Sequence, residues 1–279
     1  MERIIMTRRL INRLLIVIAL VVVLSGCGEQ TKKVRLAFKF PADKVYHYTY
    51  DSKSSAVVNE NGETTITDER SGRILYSQEV TKTIDSNISR LLFSYTRADE
   101  EEKEQVKWTT GCIMATDGKI IEFFPDSNLS DESFKYYRRL FEQTAPIYPH
   151  ELVPEGYSWT NSYKVLLDEG MTEATTSYKI KAFVREAGYD CAVIEYKGNI
   201  VIPLGSNPMG DGSVTVKGVD RIEVEGVSYF SYTEGIMIRQ EEDSHLVREG
   251  TQKKNKKTTS FKIDEDRNSL TRLVDITHK

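Results

Sequence analysis

The chain has no basic surplus: 38 Lys and Arg stand against 42 Asp and Glu, a formal charge of −4 over 279 residues. Phosphate backbones are held by concentrated positive charge, so nucleic acid is not expected as a partner. Histidine occurs four times, at His47, His150, His245 and His278, scattered and without metal-ligand spacing. His150-Glu151 lacks the second histidine that a helical zinc protease motif needs. The stretch DSNLSDES begins like a calcium loop at Asp126, then lacks the glycine at the sixth place and the acid at the twelfth. Neither a G-x-S-x-G elbow nor a P-loop occurs. With every local catalytic signature missing, the expectation is a protein that is not an enzyme and needs no metal or cofactor.

Long apolar runs are also missing, with one exception at the start. Arg3, Arg8, Arg9 and Arg13 form a basic head, and Leu14 to Leu24 is uniformly apolar. A bilayer-spanning helix needs about 20 such residues. This run has about half that, the length of the apolar core of an export signal. Ser25, Gly26 and Cys27 follow it directly.

Leu24-Ser25-Gly26-Cys27 resembles the lipobox of bacterial lipoproteins. That resemblance implies lipid attachment at Cys27 and cleavage between Gly26 and Cys27. Residues 1–26 then read as a signal peptide, 27–33 as a short lipidated linker without proline, and 34–279 as a single β-rich domain. Losing 1–26 leaves 253 residues of formal charge −7. Two acyl chains hold a protein stably at a membrane where one is marginal. The expected location is the outer side of the cytoplasmic membrane, or an outer membrane where the cell has one. Gly28 is not the aspartate associated in that family with inner-membrane retention. With Cys27 assigned to the anchor, Cys112 and Cys191 remain. They are either a disulfide or, preferably, two buried thiols.

The rest reads as strands. VRLAFKF aligns Leu36, Phe38 and Phe40; VYHYTY aligns Tyr46, Tyr48 and Tyr50; RLLFSY aligns Leu91, Phe93 and Tyr95. SYKIKAFV aligns Tyr178, Ile180, Ala182 and Val184, and Val214, Val216, Ile222 and Val224 follow the same period of two. NENGE, TDGK, YKGN, MGDGS, VEGV and TEGI are expected turns, because glycine supplies positive φ there. One helix is expected in LSDESFKYYRRLFEQTAP, with Ser130 as its N-cap and Pro146 as its stop. Phe134, Tyr137 and Phe141 share its apolar face with Leu140. The proline-rich PIYPHELVPEGYSW is a candidate hinge between strand groups 34–145 and 146–279. These elements predict a mainly β fold, a large curved antiparallel half-barrel-like sheet with one amphipathic helix packed on it.

Two charge clusters stand apart. Asp99, Glu100, Glu101, Glu102 and Glu104 form one; Lys253, Lys254, Lys256 and Lys257 form the other. Both read as solvated hairpin tips, and the lysines suit anionic headgroups or wall polymer as well. VEGVSYFSYTEGIMIRQ and LVPEGYSW resemble segments of uncharacterised bacterial lipoproteins, and the predicted half-barrel resembles the lipoprotein carriers of the envelope. The function that follows is a membrane-anchored, non-enzymatic module for an apolar ligand or lipid. Its groove would be lined in part by Phe134, Tyr137 and Phe141. The alternative is an envelope scaffold that binds a protein partner and no small ligand, and an unrecognised hydrolase comes after both.

Overall fold

The computed structural model describes residues 32–97, 107–124, 131–168, 170–204, 214–254 and 257–279. The export signal, the lipobox with Cys27, Ser130, Lys256 and the acidic cluster 99–104 lie outside them. Residues Lys33–Lys279 form one compact unit. No helix among the described residues is long and apolar enough to cross a membrane.

Thirteen strands and one helix make up the described body. In chain order the strands are β1 (Lys33–Val34), β2 (Lys44–Glu60), β3 (Glu63–Thr83), β4 (Ile88–Arg97), β5 (Lys107–Ala115) and β6 (Ile120–Phe124). Helix α1 (Asp131–Thr144) comes next. After it come β7 (Val153–Pro154), β8 (Ser158–Leu167), β9 (Gly170–Glu186), β10 (Tyr189–Leu204), β11 (Val214–Ser231), β12 (Ile236–Lys254) and β13 (Lys257–His278). Eleven strands form one open antiparallel sheet in the order β6-β5-β4-β3-β2-β13-β12-β11-β10-β9-β8. Two meanders, β2–β6 and β8–β13, are therefore joined where the last strand pairs with β2. The two strand groups seen in the sequence are halves of a single sheet.

The helix shows that this sheet curves. Phe134 stacks on Phe123 of β6, at 6.0 Å between ring centroids. Gln143, two and a half turns on, bonds the backbone of Val201 on β10. In a flat sheet β6 and β10 would lie about 38 Å apart, eight strand spacings. A helix about 10–12 Å wide touches both only if the sheet wraps around it. Phe134, Tyr137 and Phe141 pack on Val80, Leu91, Cys112, Met114 and Phe123 of the first meander. Tyr136 and Leu140 pack on Ile200, Ile202 and Val224 of the second.

Gln143 explains how β10 ends. Pairing with β9 stops at Gly198, yet β10 continues to Leu204. The buried Gln143 amide takes the missing strand's place, donating to the Val201 carbonyl at 2.9 Å and accepting from its N–H at 3.0 Å. Without it, two buried backbone groups would lack partners. A second fastening is ionic. Arg248 of β12 bonds both carboxylate oxygens of the fully buried Asp220 of β11, at 2.7 and 2.6 Å. Tyr136 of α1 donates to Asp220 Oδ2 at 2.8 Å.

Several sequence expectations change. VRLAFKF is a strand only at Lys33–Val34, which pairs with β7. Beyond it the chain is irregular: Leu36 is buried, Arg35 and Lys39 are exposed, the Phe38 N–H donates to the Thr116 carbonyl, and the Lys39 N–H donates to that of Gly235. The Asn61-Gly62, Gly118 and Gly235 turns are present with positive φ. YKGN and VEGV are not turns: Gly198 and Gly226 sit inside β10 and β11. MGDGS lies outside the described residues. In β9 a register shift beside Lys181 reverses the inward face, so Phe183 packs on the core while Val184 is exposed. The proposed hinge is stitched down: Tyr148 and Val153 are buried, the Tyr148 N–H donates to the Asp117 carbonyl, and Trp159 Nε1 donates to the Ile147 carbonyl.

Candidate functional site

A rung of side chains crosses the second meander on its inner face. The register aligns Trp159 (β8), Tyr178 (β9), Tyr196 (β10), Gly226 (β11) and Glu242 (β12). Trp159 and Tyr178 stack at 5.0 Å, and Tyr196 lies 6.2 Å beyond Tyr178. Gly226 has no side chain, so the Tyr196 ring lies over β11 and its hydroxyl donates to Glu242 Oε2 at 2.9 Å. A Cβ on Gly226 would stand 2.5 Å from that hydroxyl oxygen. Gln240, two residues before Glu242 on the same face, donates through Nε2 to the Tyr196 hydroxyl at 2.8 Å and to Glu242 Oε2 at 3.2 Å.

Tyr178, Tyr196, Gln240 and Glu242 form one wall of a pocket of about 70 Å³ under the C-terminal end of α1. Gln143, Thr144 and Tyr148 face them across it. Ligand sites for drug-sized molecules occupy ~300–1,000 Å³. The pocket therefore has room for several waters or a small polar group, and not for a lipid tail. Tyr148 is only 4% exposed, and burial pushes its hydroxyl well above the ordinary phenol value.

Glu242 sets the electrostatics. It keeps part of its surface toward the pocket, while the protein crowds its other sides. Burial raises its pKa above the ordinary carboxylate value, against the lowering effect of the Tyr196 and Gln240 bonds and of Arg267. Arg267 is occupied by Glu265, at 3.1 and 2.6 Å. Among the described residues Glu242 forms no ion pair. The same burial, with Glu242 beside it, pushes the Tyr196 hydroxyl far up.

The residues singled out from sequence fall elsewhere. Phe134, Tyr137 and Phe141 lie in the packed seam between α1 and the first meander, and none lines the pocket. Helix α1 reaches the pocket through Gln143 and Thr144 instead. Cys112 and Cys191 are free, buried thiols in separate core clusters, so no bridge joins them. Burial pushes Cys112 to about 12 and Cys191 to about 11, which keeps both protonated and unreactive. The histidines are dispersed: His150 faces Asp117 at 3.7 Å, His245 bonds Asp266 at 2.8 Å, His47 bonds Thr277, and His278 faces Asp43. No group of metal-ligating residues gathers among the described residues. Lys253 and Lys257 are exposed beside the β12–β13 tip. Sequence reasoning missed Glu242, Tyr196 and Gln240. The available signal was Gly226, a glycine within a strand-like alternation, which marks close approach as well as a turn.

No family model and no curated protein matches the chain. Among solved structures, a Bacteroides fragilis protein described as exported and of YmcC-like fold aligns over 87% of this chain and 99% of its own. The identity is 14% and the TM-score 0.27. The toluene transporter TodX of P. putida aligns over 84% of this chain and 91% of its own, at 6% identity and a TM-score of 0.14. Likenesses this distant carry no argument about function.

Proposed function

We propose that this chain is a lipid-anchored protein of the bacterial envelope whose sheet is a non-enzymatic binding module. The observation that carries the binding reading is the pocket: a half-buried carboxyl without an ion-pair partner, the hydroxyls of Tyr148, Tyr178 and Tyr196 and the Gln240 amide converge on one small space. Groups of that kind recognise a ligand by hydrogen bonding, and the size favours a small polar ligand over the lipid expected from sequence. A catalytic reading would need an activated nucleophile or an acid–base pair. The pocket lining holds a single carboxyl and neither histidine nor cysteine.

The anchor rests on Leu24-Ser25-Gly26-Cys27 after the apolar run. Cys27→Ala should move the protein from the membrane fraction to the soluble fraction; identical partitioning of variant and parent rules the anchor out. For the binding module, native mass spectrometry of protein extracted gently from envelopes should reveal a small co-purified mass that disappears on denaturation. The scaffold reading has its own support. Leu166 and Met171, directly paired across the β8–β9 hairpin at a sheet edge, are 68% and 61% exposed. A protein partner retained by the parent and lost in a Leu166→Ser/Met171→Ser variant would favour it.

A further inference from the structure

We propose that the pocket beside Glu242 binds a small organic ammonium ion, an R–NH3⁺ group held with Glu242 as its counter-ion. This rests on the binding-module reading above and adds the chemical class of the ligand. Three observations lead to it.

The first is charge. Glu242 is the single ionisable acid in the lining, and no Lys, Arg or His lines the pocket. The cation that acts on Glu242, Arg267, is bonded to Glu265. A carboxylate crowded by protein and left without a counter-ion is costly, and a cationic ligand relieves that cost.

The second is the geometry of acceptors. Tyr196 and Gln240 both spend their bonds on Glu242 Oε2. Both bonds fall on Oε2 and not on Oε1, and Tyr148 and Ser228 stand with Glu242 in the same lining. A primary ammonium has three donors and no acceptor. It matches a carboxylate oxygen flanked by hydroxyl oxygens, whereas an anion would meet the carboxylate directly. Gln143 contributes no bond, since its amide is consumed by Val201.

The third is shape. About 70 Å³ suits a methyl- or ethylammonium-sized head and excludes bulky cations. The tyrosines lining it, Tyr148, Tyr178 and Tyr196, offer a polarisable wall that favours an organic cation over a fully hydrated metal ion.

Binding should strengthen as pH rises, because the ionised carboxylate is the form that pairs. The titratable groups around it are Tyr178 on β9, Tyr196 on β10, Asp243 on β12, Arg267 on β13 and Tyr148; α1 presents only Gln143 and Thr144.

The test uses full-length protein in detergent, titrated calorimetrically with methylammonium chloride, with sodium chloride and ethanol as controls. Saturable methylammonium binding is expected, stronger at about pH 8 than at about pH 5. Glu242→Gln should weaken it by about thirtyfold or more, with unchanged circular dichroism. Tyr148→Phe, which removes one hydroxyl and keeps the ring, should weaken it severalfold. Methylammonium binding that is absent in the parent, or equal in Glu242→Gln, overturns the proposal. Equal response to sodium makes the site one for inorganic cations and overturns it too. If envelope-extracted protein carries a bound small molecule while methylammonium does not bind, the ligand class is wrong and the binding module stands. If neither is found, both fall.

Discussion

Tyr196 lies across Gly226 and donates its hydroxyl hydrogen to Glu242, two strands away, at 2.9 Å. The contact exists because β11 carries no side chain at the crossing point. Glycine inside a strand is normally a weakness. Here the loss of a side chain on one strand lets a larger one from its neighbour order a polar cluster.

Gly226→Ala should therefore lower stability by about 1–3 kcal/mol, as overpacking does. The new methyl would sit 2.5 Å from the Tyr196 hydroxyl and 2.3 Å from the Glu241 carbonyl oxygen. Gly72→Ala, on the same rung in β3, meets nothing closer than 3.9 Å and should be close to neutral. Urea midpoints of the two variants decide it; equal shifts would mean that Gly226 is not a crossing point.

Glu242 makes the stability of the unliganded protein depend on pH. Its folded pKa is raised above the unfolded value, so the folded state holds the proton longer. Stability is then greatest below the ordinary carboxylate range and declines as pH rises through the raised value. Glu242→Gln removes this decline. Thermal midpoints of parent and variant should diverge toward neutral pH, with the variant the higher; parallel curves refute the assignment.

The Asp220–Arg248 pair should behave as a buried ion pair whose halves depend on each other. Asp220→Ala leaves Arg248 and the Tyr136 hydroxyl without their shared acceptor, and the expected cost is about 3–5 kcal/mol. Asp220→Leu combined with Arg248→Met should recover much of that loss. Chemical denaturation of both measures the coupling, and additive effects would show that the two side chains act independently.

Helix α1 can be tested at two positions one turn and a half apart. Phe141 packs on Phe123 at 5.0 Å and on Phe93 at 6.3 Å, while Lys135 is exposed. Phe141→Ala should cost about 3 kcal/mol, and Lys135→Ala a few tenths. Comparable small losses at both would mean that the helix contributes nothing to holding the two flanks of the sheet.

Much of the architecture was legible because it is periodic. Tyr46 and Tyr48 of β2, Leu91 of β4 and Tyr178 and Ile180 of β9 are buried as their alternation predicts, and Phe134, Tyr137 and Phe141 face the core as helical spacing requires. Asn61-Gly62 forms a hairpin turn because both residues adopt the positive φ such a turn demands. The irregular path of residues 35–40 was not legible: the partners of the Phe38 and Lys39 N–H groups, Thr116 and Gly235, are distant in sequence.

The sequence by itself determined the faces of β2, β4 and the first half of β9, the helix, the tight turns at Gly62, Gly118 and Gly235 and the lipobox pattern, since each depends on neighbours within a few residues. Only the tertiary structure decided that Gly226 is a crossing and not a turn, and that Tyr196, Gln240, Glu242 and Tyr148 share one pocket. Strand register made those decisions. A shift of one residue between β10 and β11 would move Tyr196 off Gly226, and register is set by pairing along the whole strand, which no short stretch encodes.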